Sequence, residues 1–376
     1  MWKLPDTIGQ RFPLVPRPRP ACLPLPQRVK GLVELAETAV TLGDPSVAST
    51  VYNQAALIAS DVGAPDIART MCHRHVAAYL HAAPLSGETA IRALEPVVNL
   101  ARLRLRAGQS DDGRQSLLAL FDAVSTGTSS QVEEIVVPAE LTTTAKDREE
   151  VRAWLWRILL ADGTRALTAV GRWAEALAHV EAHRGIGQRM FDGRQVAVLG
   201  ALTAGNTLDA GNLLAVTEPA EPWENAVTGC LTVLCRRVAG GTWRRYLQDL
   251  VTAYLERPDE DGMAVFNTRL GLAMLDVTAS REEPAARLVV ADLHRRTNKA
   301  TDGYAAREVL AHPLFAALST DREMQGCQAL LDACALGTGV LPTDLRGQLS
   351  EALRASDHVI RQSVAGPERA CAAERT

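Results

Sequence analysis

The densest group of reactive side chains is Met71-Cys72-His73-Arg74-His75, followed by His81. Imidazole and thiolate are common zinc ligands, and Cys72 and His75, three apart on a helix, would share a face as two ligands must. His73 and His75 are two apart and point roughly 200° from each other, so both cannot join Cys72. Polar residues flanking a packed helix give the plainer account of this run. On the ligand-binding reading, His73 is the candidate contact. On an enzymatic reading, the Cys72–His75 region or the interface between two lobes would hold the chemistry.

A second pattern is polar. Asn99, Arg102 and Arg106 lie at i, i+3 and i+7, on one helix face. Arg102 and Arg106 repel each other by a few tenths of a kcal/mol, which an acidic partner would offset. Carboxamide and guanidinium groups can also grip a peptide's backbone and carboxylates. Asn53, beside Tyr52, should sit one or two helices away. Together with His73, these residues form the expected ligand- or partner-binding set. The pairs Arg236-Arg237, Arg244-Arg245 and Arg295-Arg296 could line up as a basic strip, although solvated surface explains them as well.

Familiar catalytic patterns are missing from the sequence. Gly185-Ile186-Gly187 has Met190 where a dinucleotide fingerprint needs its third glycine. There is no Walker loop, no His-Glu-x-x-His and no Gly-x-Ser-x-Gly. The acidic run Asp259-Glu260-Asp261 needs no metal, because acidic residues before a helix complement its dipole. The expectation is therefore no catalytic residue, no metal and no cofactor.

The elements that position these residues are predicted to be helices. From residue 29 onward, Val29, Leu32, Val33, Leu35, Ala36, Ala39 and Val40 recur at three- and four-residue spacing. Gly43 stops that helix, and Asp44-Pro45 supplies a cap and a first-turn proline for the next. Further helices are predicted at 172–184, 192–204, 207–215, 223–238, 242–256, 262–278, 282–299, 303–311, 321–336 and 343–361. Thr144, three residues before Asp147, has the form of a capping box. Residues 125–145 break the rhythm, with Ile135-Val136-Val137 as one short extended segment. The expected organisation is a proline-rich basic arm at 1–28, a helical lobe at 29–124, a connection at 125–145, a second helical lobe at 146–364 and a flexible tail at 365–376. The arm holds seven prolines, and residues 1–30 carry six basic residues against one acidic. Such an arm should fold back on an acidic body, or else reach a partner or a nucleic-acid backbone.

Self-comparison reveals a repeat. Val170-Gly171-Arg172-Trp173-Ala174-Glu175-Ala176-Leu177 is echoed by Ala204-Gly205-Asn206-Thr207-Leu208-Asp209-Ala210-Gly211, with Gly171 and Gly205 34 residues apart. This resembles the tetratricopeptide repeat, a 34-residue antiparallel helix pair. Gly171 would take the left-handed turn, Trp173 the bulky position, and Ala176 and Ala210 the close helix contacts. The resemblance implies an all-α, right-handed α-solenoid of antiparallel helix pairs, in which a concave groove holds a peptide, a partner protein or a small signal. In an Arg-rich, Ala-rich chain of high-GC bacterial type it is similar to the sensor portions of tetratricopeptide regulators.

Composition agrees with a packed helical protein. The chain has 376 residues, 47% hydrophobic and 22% charged, with a net charge of −4. Those values exclude a wholly disordered or collagen-like chain. No run of ~18 uncharged apolar residues exists, so no membrane partner is expected. The first residues lack an apolar signal core, which predicts a cytoplasmic protein. The seven scattered cysteines fit buried thiols. Of the 40 basic residues only Lys3, Lys30, Lys146 and Lys299 are lysine, as a GC-rich coding bias would give. The predicted function is non-enzymatic binding in a regulatory or biosynthesis-accessory role; the sequence leaves the oligomeric state open, a homodimer included. An enzyme, or a nucleic-acid-associated regulator using residues 1–28, are the alternatives.

Overall fold

The computed structural model describes residue 4 and residues 6–17, 19–278 and 280–365. Cys371 and most of the tail expected at 365–376 lie outside the described residues, as do Lys3, Pro5 and Pro18 of the arm.

The described chain is all-α apart from one small hairpin. After α1 (Asp6–Arg11), residues 12–17 and 19–24 form neither helix nor strand. α2 (Leu25–Leu42) ends at Gly43, whose φ of 61° is the left-handed turn that favours glycine. α3 (Pro45–Asp61) starts on Asp44, whose carboxylate accepts from the Ser46 amide at 2.7 Å, and α4 (Pro65–Leu80) starts on a first-turn proline. α5 (Gly87–Arg106) is capped by Ser86 and runs through Pro96 as one helix. α6 (Ser110–Thr126) leads to the antiparallel strands β1 (Ser130–Val132) and β2 (Ile135–Val137). The capping box at Thr144 and Asp147 opens α7 (Ala145–Ile158), and one π turn, Leu159–Gly163, follows it. The rest are α8 (Thr164–Thr168), α9 (Trp173–Ala182), α10 (Asp192–Thr203), α11 (Thr207–Ala215), α12 (Pro222–Val238), α13 (Arg244–Leu255), α14 (Ala264–Thr278), α15 (Pro284–Ala300), α16 (Gly303–Leu310), α17 (Pro313–Leu318), α18 (Asp321–Ala333) and α19 (Thr343–Val364). Among the described residues, no helix is long and apolar enough to cross a membrane.

The chain forms two compact units, one of Pro24–Gly163 with Ala335–Thr376, the other of Met1–Leu23 with Thr164–Cys334. Each is assembled from two separated stretches, whereas the sequence reading expects contiguous lobes. In the first unit, α2 to α7 pack each on the next, and α3–α5 and α5–α7 also touch. α19 returns to cover α2 and α3. Val29, Leu32, Val51, Ile58, Leu94, Leu100, Leu349, Leu353 and Ile360 are buried in the resulting core. Removing each large side chain from water contributes about 1.5–3 kcal/mol. Backbone bonds from Gly337 to Asp61 O (2.8 Å) and from Gly339 to Val62 O (2.6 Å) fasten the returning chain. The expected connection at 125–145 lies inside this unit, where the hairpin packs on α6 and α4.

In the second unit, helices again pack in order, from α8–α9 through α12–α13 and at α14–α15. Next-but-one contacts join α10–α12–α14–α16–α18, while α13–α15–α17 form another such row. Gly171 and Gly205 both take the left-handed turn, with φ of 75° and 80°. Ala176 and Ala210, five residues after each turn, are fully buried. α1 lies on α14, and Ile8, Phe12, Leu14 and Cys22 of the arm are buried. The described arm therefore folds back on the body.

Candidate functional site

The polar stripe becomes a connected ladder. α3 packs against α5, which brings Asn53 beside the face that carries Asn99 and Arg102. Arg102 Nη1 donates to Asn99 Oδ1 (3.1 Å), Asn99 Nδ2 to Asn53 Oδ1 (3.0 Å), and Asn53 Nδ2 to Glu95 Oε2 (2.7 Å). Every bond donates in the same direction, from a guanidinium through two carboxamides to a carboxylate, so each polarises the next. Burial pushes the Glu95 carboxyl above its ordinary range, against the opposing pull of the Asn53 hydrogen bond and of Arg92 and Arg102.

The acidic partners required by the two arginines are present. Arg102 Nε donates to Asp162 Oδ2 at 2.8 Å, in the π turn after α7. Arg106 Nη1 donates to Ser60 Oγ at 2.7 Å and lies 3.5 Å from Asp61 Oδ1. Asp61 also takes Arg28 Nη2 at 2.8 Å. The Arg102 and Arg106 side chains remain 42% and 46% exposed, so a partner could reach both guanidinium edges. Spacing alone does not identify Asp162 or Asp61, which meet the arginines through tertiary packing, whereas Glu95, four residues before Asn99 on α5, shares the stripe's face and is legible there.

His73 stands apart from this ladder. Its Nε2 lies 3.1 Å from Glu133 Oε2, and Arg69 and Arg104 reach the same carboxylate at 3.1 and 3.4 Å. Glu133 occupies the β1–β2 turn with φ of 54°, a conformation unusual for any residue but glycine. Burial raises its carboxyl, but the His73 hydrogen bond and the neighbouring arginines outweigh this and hold it below the usual range. Cys72 and His75 both face the core of their unit. Burial pushes the Cys72 thiol up to about 12 and the His75 imidazole down to about 3. His75 stacks on Tyr52 at 4.7 Å, and its Nε2 has no hydrogen-bond partner. Among the described residues, no three His, Cys, Asp or Glu side chains group as metal ligands do.

The charged clusters further along the chain are internally matched. Asp259 receives Arg295 Nη1 (2.9 Å), Arg296 Nη1 (2.7 Å) and Lys299 Nζ (2.9 Å), and hydrogen bonds from Arg295 and Lys299 hold its carboxyl at about 2. Arg236 lies over Tyr246, while Arg237 and Arg244 lie over Trp243. A shallow cleft of about 330 Å³ beside Trp243 is lined by Arg237, Arg244, Glu282 and Glu283.

The arm is held through its backbone as well as its side chains. Leu14 N–H donates to Gln195 Oε1 at 2.6 Å, and Gln195 Nε2 returns a bond to Leu14 O at 2.9 Å. Arg165 Nη2 donates to Pro13 O at 2.7 Å. Arg17 forks onto both Asp192 oxygens at 2.8 Å, Arg11 pairs with Asp276, and Arg19 lies 4.2 Å over the Tyr304 ring. Cys22 O accepts from Gly303 N (2.8 Å) and Cys334 Sγ (2.9 Å). Gln195 is absent from the residues singled out by spacing, although a lone carboxamide before Val196-Ala197-Val198-Leu199 is a signal for it. Compared with known proteins, the chain matches no family model, no curated protein and no solved structure.

Proposed function

We propose that this chain is a non-enzymatic binding protein of regulatory or biosynthesis-accessory type, a right-handed α-solenoid of tetratricopeptide kind that grips a peptide or partner protein at Asn53, Asn99, Arg102 and Arg106. The observation that carries the reading is the ladder with Arg106 one turn beyond it: two carboxamides and two half-exposed guanidinium groups already ordered by α3 and α5. A carboxylate on the partner would share Arg102 with Asp162 and Arg106 with Asp61, using guanidinium donors those acids leave open. Preorganisation matters here, because side chains already ordered lose little further entropy on binding. The solenoid reading draws on next-but-one packing in both units and on the two glycine turns 34 residues apart.

The test is affinity capture with the intact protein, identification of the retained partner by mass spectrometry, and titration of that partner against variants. Arg102→Glu with Arg106→Glu should weaken binding by about tenfold or more, as loss of a desolvated charged contact does. Arg102→Gln should retain part of the affinity. Wild-type affinity in the double variant, with its helical content unchanged, would remove the ladder as the site.

A further inference from the structure

The arm-holding face of the second unit has the chemistry of a peptide-recognition site. Gln195 is fully buried, and both polar ends of its carboxamide are committed: Oε1 accepts from Leu14 N–H, while Nε2 donates to Leu14 O and Met190 O. Pairing with both main-chain groups of one residue reads a backbone without regard to its side chain. Arg165 reads the neighbouring carbonyl, that of Pro13. Selectivity then comes from the buried Phe12 and Leu14 side chains and from the ends, where Asp276 and Asp192 each take an arginine, six residues apart in the arm, and Tyr304 offers its ring to a third. Asp276 is fixed in turn by His312 Nε2 at 3.1 Å, while His312 Nδ1 accepts the Leu314 amide and so leaves Nε2 to donate. The bound segment, Arg11-Phe12-Pro13-Leu14-Val15-Pro16-Arg17, is apolar and proline-bearing between two cations.

We propose that this face is a docking site for a proline-bearing, arginine-flanked segment of a partner protein, and that residues 11–17, with Arg19, are its resident ligand, displaced when such a segment arrives. The tether makes the resident segment a competitor at an effective concentration in the millimolar range. A partner therefore engages only when its own segment binds more tightly or arrives at high local concentration. The proposal goes beyond the Asn53–Arg102 ladder, which lies in the other unit, and does not depend on it.

The probe is a fluorescent synthetic peptide with the sequence of residues 6–22, titrated by anisotropy into the full chain. Wild-type protein should bind it weakly, because its own arm competes. The arm variant Arg11→Glu with Arg17→Glu leaves the docking face intact and should bind the peptide about tenfold more tightly or better. In that background, Gln195→Ala should abolish binding. Because Gln195 also braces Met190, Asp192→Ala supplies a second arm of the test. Asp192→Ala and Arg17→Ala in the peptide should each weaken binding, and their combination should weaken it little more than either alone, the signature of a direct pair. Equal peptide affinity in the wild-type and arm-weakened chains would overturn the proposal. So would fully additive effects at Asp192 and Arg17. A wild-type dimer that excess peptide dissolves would overturn it as well, by showing that a second copy's arm is the occupant.

Discussion

His75 illustrates what burial does to a single side chain. Its ring stacks on Tyr52 with a partnerless Nε2, and burial drives its affinity for a proton far below that of a solvated histidine. The unfolded chain takes that proton near pH 6.5 and the folded chain only near 3. Between those values the unfolded state holds more protons, so stability falls as pH falls, by up to about 1.4 kcal/mol per unit. Urea midpoints at pH 7 and pH 5 should drop more for wild type than for His75→Phe, and identical slopes would refute a neutral buried ring. Legibility at this scale is divided. The i, i+3, i+7 spacing of Asn99, Arg102 and Arg106 foretold a shared face and a need for acidic partners. It could not name Asp162 or Asp61, because helix periodicity carries no information about which distant segment packs opposite. For the same reason His73 joined Glu133 rather than the ladder.

Among the elements, turn chemistry made most helices readable. Gly43 with Asp44-Pro45, Gly171, Gly205 and the Thr144–Asp147 box each act within a few residues, so local sequence suffices. Thr144→Ala should cost about 1 kcal/mol, visible as a lower urea midpoint. Two short helices were not anticipated. α1 lies in a proline-rich arm and α17 starts on Pro313, and each depends on tertiary cover for Ile8 or Phe315. The hairpin was half seen: β2 is an apolar run, but β1 is Ser-Gln-Val and pairs only because β2 is there. Gly113 is another feature invisible to periodicity. A Cβ there would meet Leu105 Cδ2 at 2.6 Å and Ala101 O at 2.9 Å, because α5 and α6 approach closely. Gly113→Ala should therefore destabilise by about 1–3 kcal/mol despite the better helix propensity of alanine. A neutral or stabilising result would mean that Leu105 and the α5 backbone give way freely.

For the molecule as a whole, the decisive fact is that each unit is completed by a stretch remote in sequence. α19 buries Leu345, Leu349, Leu353 and Ile360 in the same core as Val29 and Leu32 of α2. Ending the chain at Cys334 should leave that face bare. The expected outcome is aggregation or loss of cooperative unfolding in the first unit, read by calorimetry against the full chain. A truncated protein with an unchanged melting profile would contradict this account of the core. Contiguous lobes were expected because composition shifts mark only local breaks, and no pattern in residues 335–365 declares which helices they will cover.

The same arrangement imposes an order on birth. During synthesis Phe12 and Leu14 leave the ribosome about 180 residues before Gln195 and about 260 before Asp276. At roughly 5–20 residues per second, that is a wait of roughly ten to fifty seconds with two apolar anchors uncovered. Nascent chains of this protein should thus cross-link to ribosome-associated chaperones through the segment around Phe12 and Leu14, a demand that ends only when the later helices emerge.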